Sequence, residues 1–143
     1  MKESTWKECI ENSSSLKISP SRAKAKSLIE MAEGRIRYLK ENHMKEHNAS
    51  YIFEGYYSSL LEFIHALTLL EGYKVSNHIC LGYYLRDILK RNELFRIFDD
   101  CRFKRNSLIY YGKKLEFKTA KESIGKCAGL IKELKILLKY PGK

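Results

Sequence analysis

Proline is nearly absent from this chain of 143 residues: Pro20 and Pro141 are the only two, and the eight glycines follow no period. So few turn-formers cannot punctuate many short strands, which argues against an all-β fold. No uncharged stretch approaches the ~20 residues of a membrane span. The longest, Val75 to Leu85, is too short, so no membrane association is expected. The opening residues, MKESTWKECIENSSS, lack the apolar run of a signal peptide, and secretion is not expected. The four cysteines, Cys9, Cys80, Cys101 and Cys127, are far apart and form no CxxC pair. Neither a zinc site nor a dense disulfide scaffold fits that spacing, so buried reduced thiols and a cytoplasmic protein are expected. Gly-rich phosphate loops, Walker motifs and GxSxG elbows are missing too, and no cofactor or metal is expected.

What is present is a folded chain with a strong positive surplus. Hydrophobic residues make up 44% and charged residues 31%, the balance of a single globular domain over 1–143. Twenty-seven Lys and Arg against seventeen Asp and Glu leave a net charge of +10. A polyanion, nucleic acid first, suits that surplus; so does a solvated lysine-rich surface, and the even spread of the charges locates no site.

The periodicity is helical throughout, with no period-two alternation. Ser19-Pro20-Ser21 starts a helix bearing Ala25, Leu28, Ala32, Ile36 and Leu39 on one face, to about Asn42. A polar junction with His43, His47 and Asn48 leads to a second, bearing Phe53, Tyr57, Leu60, Ile64 and Leu67 and stopping near Gly72. His43 and His47 are four apart, a metal-binding spacing with no third ligand nearby. Ser76 or Asn77 can cap a third helix with Leu81, Leu85 and Ile88 inward, and Asn92 a fourth that ends at Gly112. The last helix carries Ala120, Ile124, Cys127, Ile131, Leu134 and Leu138. A short N-terminal helix with Trp6 and Ile10 is expected to pack on the others. The pattern predicts an all-α antiparallel bundle of four or five helices, its core spanning about 20–138 with a short N-terminal helical extension.

One residue breaks the apolar seam of the fourth helix, which steps 94, 98, 101, 105, 108: position 105 is arginine. At 100° per residue, Arg105 lies about 20° from Phe98, in the middle of the stripe. A dry arginine needs a partner. Either an internal acid such as Glu54, Glu62 or Asp99 pairs with it, or the seam opens there onto a cleft or a second subunit. Arg102 stands on the same end of the seam, Asn106 and Tyr110 share one flank, and Tyr111 projects elsewhere. The adjacent tyrosine pairs, 56–57, 83–84 and 110–111, suit a dimer interface and base stacking alike.

The run Arg105-Asn106-Ser107-Leu108-Ile109-Tyr110-Tyr111-Gly112 resembles the signature of HEPN domains, an Arg, commonly an Asn or other polar residue, and a His four to six positions on. Glu54-Gly55-Tyr56-Tyr57, the apolar run to Gly72-Tyr73-Lys74, and Ser76-Asn77-His78 leading into 80–85 resemble the family's upstream segments. The resemblance covers Pro20 to Leu138. It implies a homodimer whose Arg-bearing helices face one another, and a cleft that binds RNA or a nucleotide. In catalytic members it also implies a metal-independent endoribonuclease, of toxin–antitoxin type, paired with a nucleotidyltransferase partner. Carried over residue by residue, it assigns catalysis to Arg105, Asn106 and Tyr110, with Arg102, Tyr111 and His78 as binding residues. Tyr110 stands where the family has its His. An ordinary histidine titrates at about 6.5 and a tyrosine at about 10, so Tyr110 is the poorer base at neutral pH. Non-catalytic members of the family bind RNA or nucleotides. Three readings follow: an RNA- or nucleotide-binding dimer, a non-catalytic protein-interaction module, and an active ribonuclease using Tyr110 or His78.

Overall fold

Two long helices meet first. The computed structural model describes residues 4–139; the ends of the 1–143 span, 1–3 and 140–143, lie outside the described residues. Ser21 caps helix α2 (Arg22–Lys40), accepting from the Lys24 N–H at 3.3 Å. Its inward face, Ala25, Ile29, Ala32, Ile36 and Leu39, packs along α3 (Ala49–Leu70). The two are antiparallel. The Ser21 N–H donates to the Leu69 carbonyl, the Ser59 hydroxyl to the Ala32 carbonyl, and Arg35 pairs with Glu62.

α3 is the central rod, apolar on most sides. Its buried Phe53, Tyr57, Leu60, Phe63, Ile64 and Leu67 face α2, α5 (Asn92–Tyr111) and α6 (Phe117–Leu138). α5 and α6 run antiparallel, tied by Arg91–Glu133 at 3.1 Å, Lys126–Asp100 at 3.3 Å and the Cys127–Cys101 thiol contact at 3.7 Å. α6 begins beside the head of α3, where the Leu115 N–H donates to the Ser50 hydroxyl, and runs on in the same sense. The described residues form a mostly helical fold, as the periodicity predicts.

Four local expectations are corrected. A ribbon of two antiparallel strands, β1 (Ser15–Lys17) and β2 (Tyr73–Val75), pairs Leu16 with Lys74. At three residues each, the strands are too short to print a period-two pattern. The ribbon's corner is Gly72, at φ 87°, where a Cβ would stand 2.9 Å from the Ile18 carbonyl. Second, Arg91 and not Asn92 occupies the N-cap of α5: its N–H is taken by the Leu85 carbonyl, and its own carbonyl receives the Leu94 and Phe95 N–H groups.

Third, Ile88 is exposed, not inward. Asn77 caps α4 (His78–Tyr83), which passes into a π-helical turn over Tyr84–Ile88. The wider turn closes with the Leu89 N–H on the Tyr84 carbonyl and rotates Ile88 off the Leu81–Leu85 face. Fourth, Cys9 and Cys80 are not free thiols: they form a disulfide, while Cys101 and Cys127 remain reduced and buried. The bridge removes the support that free thiols gave to a cytoplasmic location. Among the described residues, no helix is long and apolar enough to cross a membrane.

The N-terminal helix α1 (Trp6–Glu11) forms as expected, with Trp6 buried edge-on between Tyr73 and Tyr84, although Ile10 faces outward. The Trp6 N–H donates to Asp87 at 2.8 Å, and Arg86 also grips that carboxylate. The disulfide, the ribbon and this contact together hold the segment from Ser76 to Ile88 in place beside α5.

Candidate functional site

The seam of α5 is dry through Leu94, Phe98 and Cys101 and then reaches Arg105. Tyr57 of α3 lies beneath. Its ring stacks on Phe98 at 6.1 Å and stands 6.3 Å from the His78 ring. The Arg105 guanidinium lies over the same ring, 5.8 Å from its centroid. Arg105 Nε and the Tyr57 hydroxyl are both buried and, among the described residues, have no hydrogen-bond partner.

Above this floor a cleft of about 430 Å³ opens between the head of α4 and the second half of α5. Ser76, Asn77, His78 and Ile79 form one wall, and Arg102, Arg105, Asn106 and Tyr110 the other. The α5 residues share a wall because steps of three and four return to the same helix face. The opposite wall exists because β2 delivers the chain directly into the Asn77 cap, which seats His78 as the first residue of α4.

Among the described residues, the lining contains two guanidinium groups and no carboxylate. Of the three acids expected to compete for Arg105, Glu62 is held by Arg35, and Asp99 by Arg102 at 2.9 Å. Glu54 forms no ion pair with Arg105 either. The seam therefore opens onto a cleft. Burial, followed by the charges of Arg105 and Arg102, pushes the His78 pKa below its ordinary value. His78 is thus a neutral imidazole at pH 7, able to accept a proton or a hydrogen bond. Burial of the Tyr57 hydroxyl pushes its pKa up, so it stays protonated.

Arg102, Arg105, Asn106, Tyr110 and His78 are brought together here; Tyr111 is not. It is 81% exposed, beyond the cleft, on the last residue of α5 before the left-handed Gly112 cap. His43 and His47 are exposed in the junction between α2 and α3, off any helix, so the one-turn spacing does not align them. Tyr57, beneath the lining, was not legible as a site residue; its signals were membership of a tyrosine pair, a place on the apolar face of its helix and the Glu54-Gly55-Tyr56-Tyr57 segment. Asp99 as the anchor of Arg102 carried the i, i+3 spacing of a helical ion pair. Comparison of the chain with protein-family models, curated proteins and solved structures yields no match.

Proposed function

We propose that this chain is a HEPN-like protein that binds RNA or a nucleotide by its phosphate in the Arg105 cleft. The observation that carries the reading is a buried arginine nitrogen with no partner among the described residues, in a cleft that they line with two guanidinium groups and no acid. An arginine desolvated without a counter-ion is a poor structural element, and a planar fork facing an open cleft is a good phosphate receptor. The net charge of +10 draws polyanions toward it. The resemblance adds a homodimer with the α5 ends facing one another. The exposed Ile109, Tyr110 and Tyr111 supply apolar area for that contact. It also adds a nucleotidyltransferase partner of toxin–antitoxin type. The test is anisotropy of a labelled oligoribonucleotide: affinity falls by roughly 0.7 log unit per phosphate contact per decade of salt. Arg105→Ala weakens it. Salt-insensitive binding that Arg105→Ala leaves unchanged rejects the reading.

A second reading, a metal-independent endoribonuclease, is favoured by the neutral His78 facing the arginines across the cleft. His78 takes the proton from a ribose 2′-hydroxyl, and the oxygen attacks the adjacent phosphorus while Arg105 and Arg102 stabilise the added charge. The 5′-oxygen leaves with a proton from Tyr110. The products are a 2′,3′-cyclic phosphate and a 5′-hydroxyl, and end-group analysis of RNA incubated with chelator detects both.

A further inference from the structure

A second cleft, of about 500 Å³, adjoins the first and shares Asn77, Ile79 and Arg102 with it. Its character is different. Tyr83 and Phe95 stack in its wall with ring centroids 5.8 Å apart. The Arg86 guanidinium covers both, 4.6 Å from the Tyr83 centroid and 5.1 Å from that of Phe95. That guanidinium is fixed by Asp87 and by the Ser4 carbonyl at 2.8 Å. Phe103 also lines this cleft; the residue is 61% exposed, and the Arg102 guanidinium lies 5.1 Å from its ring centroid. Asp99 is the one carboxylate in the lining among the described residues.

Charge sorts the two clefts. The first, with two arginines and no acid, suits a phosphate. The second presents flat π faces and guanidinium planes already paired with Asp87 and Asp99, which leaves less positive charge for a phosphate and gives the amino edge of a base an acceptor in Asp99. Nucleobases stack on such surfaces with little regard to sequence. Bases within a duplex are already stacked and paired, so the occupant has an unpaired base.

We infer that the second cleft is a nucleobase-stacking subsite continuous with the Arg105 phosphate site. The ligand is then a nucleoside phosphate unit with its base against Phe103 and the Tyr83–Phe95 pair, carried in a single strand or free. This inference rests on the phosphate-binding reading of the first cleft. Arg102, common to both, sits at the junction between base and phosphate.

The test compares a labelled adenosine decaribonucleotide with an abasic ribose-phosphate decamer of equal charge, by anisotropy, for the wild type, Phe103→Ala, Tyr83→Ala and Phe103→Trp. The wild type is expected to prefer the base-bearing strand by about tenfold. Phe103→Ala and Tyr83→Ala bring it toward the abasic affinity without changing the abasic strand's own binding, and Phe103→Trp keeps the preference. Adenosine monophosphate outcompeting ribose 5-phosphate supports the subsite for a free nucleotide; a preference seen only with the decamers supports it for a strand. Equal binding of both decamers by the wild type overturns the subsite and leaves the phosphate reading standing. Binding of neither overturns both. If Phe103→Ala weakens both strands alike and sedimentation shows a dimer becoming a monomer, Phe103 belongs to a contact between copies and the inference fails.

Discussion

Arg105 and Tyr57 share a buried contact in which the guanidinium lies 5.8 Å from the ring centroid, while Arg105 Nε and the Tyr57 hydroxyl both lack a hydrogen-bond partner among the described residues. Two buried unsatisfied polar groups on touching side chains, Arg105 in the lining of a cleft and Tyr57 beneath it, mark a place where stability is given up. The cation–π attraction offsets part of the desolvation, by about 0.5–2 kcal/mol. On the reading proposed above, an anion in the cleft recovers part of the remainder at Arg105.

That relationship gives the first prediction. Breaking a buried ion pair costs about 3–5 kcal/mol. Arg105→Ala breaks none, and is expected to change the unfolding free energy by less than ~1 kcal/mol or to raise it. Tyr57→Phe removes an orphaned hydroxyl and is expected to add about 1 kcal/mol. Urea denaturation of the two variants beside the wild type measures both.

Acid is expected to unfold the protein through His65. Burial, and then the neighbouring His78, bring the His65 pKa from 6.5 down to about 4. The unfolded chain takes up that proton below about pH 6.5 while the folded chain does not. Stability is therefore complete above that pH and is lost as pH falls toward 4. The slope is about 1.4 kcal/mol per pH unit while one histidine titrates. His78, lowered in the same direction, adds to the loss. Melts at pH 7 and pH 5 should differ, and His65→Asn should shrink the difference.

Catalysis turns on which residue takes the proton. If Tyr110 stands where a base has been lost, Tyr110→His gains RNA cleavage in chelator and the wild type shows little. If His78 is the base, the wild type cleaves, and His78→Ala lowers the rate by about 10²–10⁴-fold while oligonucleotide affinity holds. Product ends and affinity measured on the same samples separate the two.

Reduction should also matter. The Cys9–Cys80 bond closes a loop with a sequence separation of 71. On the chain-entropy estimate it contributes about 4 kcal/mol. The Cys9→Ala/Cys80→Ala variant, or the wild type in dithiothreitol, is expected to unfold at correspondingly lower urea. An unchanged midpoint would show that the ribbon and the Trp6 contacts suffice.

The four long helices were legible because each repeats apolar residues at three- and four-residue steps over five turns or more. Arg105 was legible for the same reason, as the one charge inside such a stripe. The ribbon and the disulfide were not, because each joins the N-terminal segment to residues around 73–80, a long-range choice that local periodicity does not record. Ile88 was misplaced because a single π turn shifts the phase that a 100° step assumes. The five clustered site residues came from one helix stripe and one capped turn; the floor and the second cleft depend on α3 and the π turn meeting α5, which only packing decides.

The Cys9–Cys80 bond makes the oxidised chain a ring with two tails, with the α2–α3 hairpin inside the ring and α5 and α6 on the longer tail. Pulled by its ends, such a molecule transmits force straight through the bridge. The looped residues never join the stretched thread, and at about 3.5 Å per residue the sequence separation of 71 shortens it by about 250 Å. The tail bearing Arg105 would then peel away from a hairpin that carries no load.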